Sequence, residues 1–313
     1  MLKSYSYIES DQMDSGIIDV HVFAKERQII ADFTANNPTP MVLTSCVCCG
    51  ENACVFVTVE NVVYQRCDKC FSIFANVQSD TIDKYKSYEP LINFRNSEVY
   101  QHSATKHRHN IWNELLFWLE FRFARYIQKK APLDIVHRGN RYLLLAEMLK
   151  AAPFCRNYNL TETADVFLFF DQFRSLVKPH EALSEIREAL NESGLLVMNM
   201  TVGNGFDILT LRGRSDSFFP YEVTLLPSIK GVEHLLIKSG FDVLEISTPG
   251  TLDVEHVLRN KESLDENDLF IQYLINNADS STHSVFQRFL QKSGMSSHAR
   301  VIARKRNDFD DSN

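Results

Sequence analysis

Residues 132–170, PLDIVHRGNRYLLLAEMLKAAPFCRNYNLTETADVFLFF, decide how this chain reads. A short apolar strand (Leu133, Ile135, Val136) and a turn lead into a helix with apolar residues at Leu143, Leu144, Leu145, Met148 and Leu149. A second apolar strand, Val166 to Phe170, follows after that one helix. One strand-helix-strand unit takes roughly 30 residues. The stretch therefore has room for a single such unit, and the question is what so short a half can bind.

Outward from it, composition sets bounds. A chain of 313 residues with 44% hydrophobic content can bury a sizeable core, and its length suggests about two domains. A net charge of −7 and a pI near 5.8 argue against a general binder of nucleic-acid backbone, whose domain is normally basic. No basic flank precedes an apolar run near the N-terminus, and no stretch approaches the roughly 18 apolar residues of a spanning helix. The expectation is a soluble, cytoplasmic protein, with no membrane or nucleic-acid partner.

Six of the seven cysteines fall between Cys46 and Cys70. Disulfides are rare in a reducing compartment, so the clustering points to metal. Cys46-x2-Cys49 and Cys67-x2-Cys70, separated by 17 residues, have the spacing of a tetrahedral zinc site. Gly50 gives the first knuckle its permissive backbone. The spacer, rich in valine around Glu60-Asn61, reads as a strand pair that returns the second knuckle to the first. Cys46, Cys49, Cys67 and Cys70 are the expected ligands, although Cys48 could replace Cys46, and Cys54 is left over. Four protein ligands leave no open position for water, so the zinc is read as structural.

Residues 1–40 read as an N-terminal arm closed by Asn36-Asn37-Pro38-Thr39-Pro40. Residues 41–90 form the cysteine module. A long helix of about Lys106 to Lys130 dominates the linking segment 91–131 and carries apolar residues on more than one face, as a helix between layers does. His102, His107 and His109 at its start read as a solvated helix entry. Residues 306–313 read as a polar, disordered tail.

The ordered set of cysteine knuckles, long helix, LDIV, ADVFLFF, Lys178-Pro179, the strand LLVMNM, Gly231-Val232-Glu233, Gly240-Phe241-Asp242-Val243 and Thr248 to Val254 resembles the S-adenosylmethionine-dependent methyltransferases with an N-terminal zinc ribbon. That group includes enzymes acting on nucleotide-linked sugars and other small metabolites. The resemblance covers about residues 44 to 305 and implies an α/β fold: an abbreviated Rossmann-like methyltransferase sheet over residues 132–305, preceded by a small zinc-ribbon module.

At the functional positions the chain departs from that pattern. The family's glycine-rich cofactor loop reads His137-Arg138-Gly139-Asn140-Arg141, with Gly139 alone remaining, and the bulky side chains beside it are expected to crowd the cofactor. The family's second strand, with an acid at its tip for the ribose hydroxyls, has no place here. Strands two and three are expected to be missing, leaving the first beside the fourth. Histidines of relatives are replaced at Arg174-Ser175 and at Glu222-Val223. Asp171, at the mouth of the fourth strand, is the remaining cofactor-binding candidate, and a strand-end cap is its plainer reading. Arg138, Arg141, Arg174, Arg212 and Arg214 could converge as an anion site or stand dispersed; His180, after Pro179 at a helix start, reads as a surface residue, and His256 and His283 show no partner spacing. The expectation is a methyltransferase relative that has lost S-adenosylmethionine and works as a binding or partner subunit, beside an active methyltransferase or on a small carbohydrate-like ligand. The alternative is an active methyltransferase on a sugar-like or metabolite acceptor.

Overall fold

The computed structural model describes residues 20–39, 41–105, 109–127, 132–138, 143–159 and 162–307. Helix α1 (Val20–Asn36) precedes a hairpin of β1 (Ala53–Val59) and β2 (Val62–Cys67). The hairpin turns on Glu60 and Asn61, both at positive φ (46° and 65°), the arrangement that matches a two-residue turn to the twist of the strands it joins. Strand β3 (Ile73–Ala75) pairs with β2. Helices α2 (Ser79–Lys86), α3 (Glu89–Arg95), α4 (Glu98–Thr105) and α5 (His109–Tyr126) follow. The ends expected for the long helix, Lys106 and Lys130, lie outside the described residues.

The main sheet takes β4 (Leu133–Arg138), β5 (Cys155–Tyr158), β6 (Ala164–Phe170), β7 (Leu190–Thr201), β9 (Phe241–Ser247) and β10 (His298–Lys305), in the order β5-β4-β6-β7-β10-β9. Strands β5, β4, β6 and β7 run parallel; β10 lies antiparallel between β7 and β9. This is a parallel-rich, Rossmann-like layout with one antiparallel strand, between β7 and β9. Strand β8 (Leu225–Leu226) instead joins the cysteine sheet, pairing antiparallel with β3.

One expectation is corrected. A strand does occupy the place beside β4 where the second strand was thought missing: β5 pairs with it in parallel, Leu133 opposite Cys155 and Ile135 opposite Tyr158. Asp134 clamps the pair, accepting from Arg156 Nε at 2.9 Å and from Asn157 Nδ2 at 2.7 Å. The link from β5 to β6 is residues 159–163, too short for a further strand and its crossover, which need about a dozen residues. The first and fourth strands of the expected layout, β4 and β6, are neighbours as anticipated.

Helices cover both faces of the sheet. On one, α5 and α6 (Leu143–Ala151) pack Leu115, Trp118, Leu119 and Leu149 on Ile135, Val166, Leu168 and Val197. On the other, α7 (Pro179–Glu188) and α9 (Ile229–Lys238) pack Leu183, Ile186, Val232 and Leu235 on Phe167, Phe169, Leu196 and Met198. Burial on both faces explains why VFLFF is an unbroken apolar run. Helices α8 (Phe206–Leu211), α10 (Asp253–Arg259), α11 (Leu269–Asn277) and α12 (Ser280–Ser293) share a separate cluster that includes Phe206, Val257, Ile275 and Leu290. Among the described residues no helix is long and apolar enough to cross a membrane.

Candidate metal centre and the carboxyl edge of the sheet

The two cysteine knuckles close on one point. Gly50, at φ 80°, ends a turn in which its amide donates to the Cys46 carbonyl at 2.8 Å. Cys46 Sγ lies 3.6 Å from Cys70 Sγ, and Cys49 Sγ lies 3.4 Å from Cys67 Sγ. All four sulfurs fall within 4.8 Å of one another. Zinc–sulfur bonds of about 2.3 Å place tetrahedral sulfurs about 3.8 Å apart, so the cluster suits such an ion. Backbone amides point at the sulfurs: Cys48 N at Cys46 Sγ, and Lys69 N and Cys70 N at Cys67 Sγ, each at 3.4 Å. Without a cation, burial pushes the Cys49 thiol up to about 11, while hydrogen bonds to Cys48 and Cys70, with burial, push Cys46 higher. A divalent ion removes that penalty by binding the thiolates.

The two remaining cysteines of the module lie outside that set of four, although the Cys48 thiol still bonds Cys46 and Cys70. Cys48 is fully buried in the core beside Gly231 and is not one of the four converging sulfurs. Cys54 is exposed on β1.

The cysteine cluster is seated on the main domain. Ser228 caps α9, accepting from Gly231 N at 2.9 Å, and donates to the Cys70 carbonyl. Ser72 accepts from Ser228 N at 3.0 Å and lies 3.1 Å from Cys70 Sγ. A Cβ on Gly231 would come within 2.1 Å of Ser72 Oγ, so only glycine lets the knuckle approach this helix.

Ligands of open α/β sheets bind outside the carboxyl ends of the strands, where the strand order reverses. Here that point lies between β4 and β6. Gly139, Asn140 and Arg141 lie outside the described residues. The two described residues before them, His137 and Arg138, are both engaged elsewhere. His137 turns inward, its Nδ1 2.8 Å from the Tyr158 hydroxyl, and Arg138 points to Glu185 at 3.0 Å. At the tip of β5 stands Asn159, in the left-handed region at φ 54°. Its Oδ1 accepts from His137 N at 2.6 Å and its Nδ2 donates to the His137 carbonyl at 3.1 Å. The side chain thus extends the β4–β5 ladder and offers no carboxylate to a ribose.

Asp171 ends β6, also left-handed at φ 53°, and its amide donates to the Asn199 carbonyl at 2.7 Å. Across the same edge Asn199 stands opposite Arg300, and Thr201 opposite His298. Arg300 makes a bidentate pair with Glu114 of α5 (2.9 and 2.6 Å) and lies over the Trp118 ring at 5.1 Å. Burial first, then the Arg300 charge, holds the His298 imidazolium below its ordinary pKa. The sequence reading named Asp171 and missed Arg300, Glu114 and His298. Only the strand order, unknown at that stage, puts residue 300 beside residue 199.

The other expected positions separate. Arg174 faces Glu222 at 4.0 Å, Arg212 faces Asp265 at 4.0 Å with Arg214 also acting on that acid, and Arg138 faces Glu185, so these four divide among three acids. His256, read as partnerless, bonds the buried Asp207 at 3.2 Å, and His283 faces the Leu274 carbonyl at 3.2 Å. His180 lies half-buried, 3.4 Å from Ser239 Oγ. The side chains of His102, His107 and His109 lie outside the described residues. The glycines of the loop Thr201 to Phe206, TVGNGF, which follows β7, serve packing: a Cβ on Gly205 would meet Ser297 at 2.3 Å, and one on Gly203 the Leu226 carbonyl at 2.6 Å.

No family model and no curated protein matches the chain. Similar solved structures include several described as methyltransferases and one described as the [4+2]-cyclase SpnF. A structure described as a sarcosine dimethylglycine methyltransferase from Galdieria sulphuraria is 11% identical over 73% of this chain and 99% of that one, with a TM-score of 0.38. Phosphoethanolamine N-methyltransferase 2 of Haemonchus contortus, solved with phosphomonomethylethanolamine and S-adenosylhomocysteine, is 17% identical over 63% of this chain and 53% of that one, TM-score 0.37. An S-adenosylmethionine-dependent methyltransferase of Mesorhizobium loti is 12% identical over 62% and 100% of the two chains, TM-score 0.35. The fold assignment rests on the order and direction of the six strands; these likenesses run alongside it.

Proposed function

We propose that this methyltransferase-like chain has lost S-adenosylmethionine binding and works as a binding or partner subunit, beside an active methyltransferase or on a small, hydroxyl-rich ligand. The observation that carries this reading is the tip of β5. The residue just past its end is Asn159 rather than an acid, both ends of that side chain are committed to His137, and only residues 159–163 separate β5 from β6. An adenosine held at this edge would lack both its ribose carboxylate and the wall that a further strand and helix supply. Cys46, Cys49, Cys67 and Cys70 hold a zinc ion in the same proposal, and its chemistry there is cross-linking, since every ligand position is protein.

One observation favours the second reading, an active methyltransferase. Strand β5 restores one of the two strands thought missing, so part of the ordinary cofactor edge is present. Calorimetry with S-adenosylmethionine decides between them. The first reading expects no saturable heat up to about 1 mM cofactor; saturation at micromolar concentration overturns it.

A further inference from the structure

Helices α11 and α12 satisfy their inward sides on the core beneath them, where Ile275 and Leu290 are buried and Ile271 and Phe286 half-buried. Both still carry large apolar side chains outward. Leu269, Phe270 and Tyr273 of α11 are 71%, 70% and 71% exposed, and Val285 and Phe289 of α12 are 57% and 54% exposed. On α12 these two stand one turn apart, and Arg288 and Lys292 complete the same stripe at helical spacing.

We propose that this face is where a second copy of the chain docks, making a symmetric homodimer. Area and charge argue for that occupant. Aromatic side chains offer about 150–250 Å² each, and Leu and Val less. Phe270, Tyr273 and Phe289 with Leu269 and Val285, exposed by 54% to 71%, present roughly 500 Å² per copy. A pair buries about 1,000 Å², the least expected of a specific interface. The patch also carries opposite charges: Glu266 and Asp268 stand in the segment just before α11, and Arg288 stands on the outer stripe of α12. In a two-fold contact residue i meets j and j meets i, so the acidic end of each copy meets the basic stripe of the other. The same acids, on a chain of net charge −7, oppose docking on an anionic bilayer. The proposal is independent of cofactor binding.

Sedimentation velocity on the full chain, from about 1 to about 100 μM, tests it. The expected result is a species of twice the 36.1 kDa chain mass. Phe270→Asp, a surface change whose folding is checked by far-ultraviolet dichroism, returns it to the single-chain mass. Arg288→Glu weakens the dimer about tenfold, and adding Glu266→Arg restores it. A wild-type chain that stays monomeric at about 100 μM overturns the proposal. So does a dimer indifferent to Phe270→Asp or to Arg288→Glu, a dimer formed only after residues 1–19 are removed, or a chain that binds anionic vesicles without self-associating.

Discussion

His137 shows how much a single residue's meaning depends on which way it points. In the sequence it stands where a cofactor loop would begin, and its bulk looks like an obstruction. In the fold it is buried, bonded to Tyr158 and packed 5.6 Å from the Phe170 ring. Burial pushes its pKa down to about 4, against about 6.5 in an unfolded chain. The sign of the consequence follows. Above pH 6.5 the ring is neutral in both states and costs nothing. Between pH 6.5 and 4 the unfolded chain binds a proton that the folded chain refuses. Stability therefore falls by about 1.4 kcal/mol per pH unit, about 3 kcal/mol in all. Urea unfolding of the wild type and His137→Gln at pH 7 and pH 4 should show the variant losing about 3 kcal/mol less. Acid release of a metal affects both proteins alike, so the difference between them isolates His137; equal losses would refute the assignment.

At the scale of elements, what the sequence made legible was what periodicity and spacing encode. The VFLFF strand, the valine hairpin around Glu60-Asn61 and the paired cysteine knuckles all lie where the residues placed them. Strand β5 was missed for a physical reason. It is four residues long, sits at the sheet edge, and reads CRNY, with no apolar alternation to betray it. Its fixing comes from Asp134 and Asn159, whose roles exist only once β4 and β5 are side by side. The docking of the cysteine module on α9 was equally hidden, because Ser72 and Ser228 are 156 residues apart. Ser228 serves as N-cap of α9 and as donor to the Cys70 carbonyl together. Ser228→Ala should thus cost about 1–2 kcal/mol, the upper range for a lost cap. Thermal unfolding measures that cost, and a loss below about 0.5 kcal/mol would mean the link to the metal knuckle is idle.

At the scale of the molecule, the cysteine module and the α/β domain share one core. Cys46, Cys48, Cys67 and Cys70 pack in the same buried cluster as Phe167, Leu196, Val232 and Phe241, and β8 extends the cysteine sheet from within the C-terminal half. A metal lost from such a site leaves four thiols crowded inside the main core rather than in a detachable appendage. Structural zinc contributes on the order of 10 kcal/mol to small metal-dependent folds, comparable to the whole stability of an ordinary domain. Chelation should therefore lower the unfolding temperature of the entire chain in one transition, and Cys67→Ser should reproduce that shift while abolishing stoichiometric zinc. Calorimetric scans with and without chelator, beside metal analysis of both proteins, make the comparison. Two separate transitions, with the larger unmoved by chelator, would show that the cysteine module melts alone and that the shared packing does not couple it to the sheet.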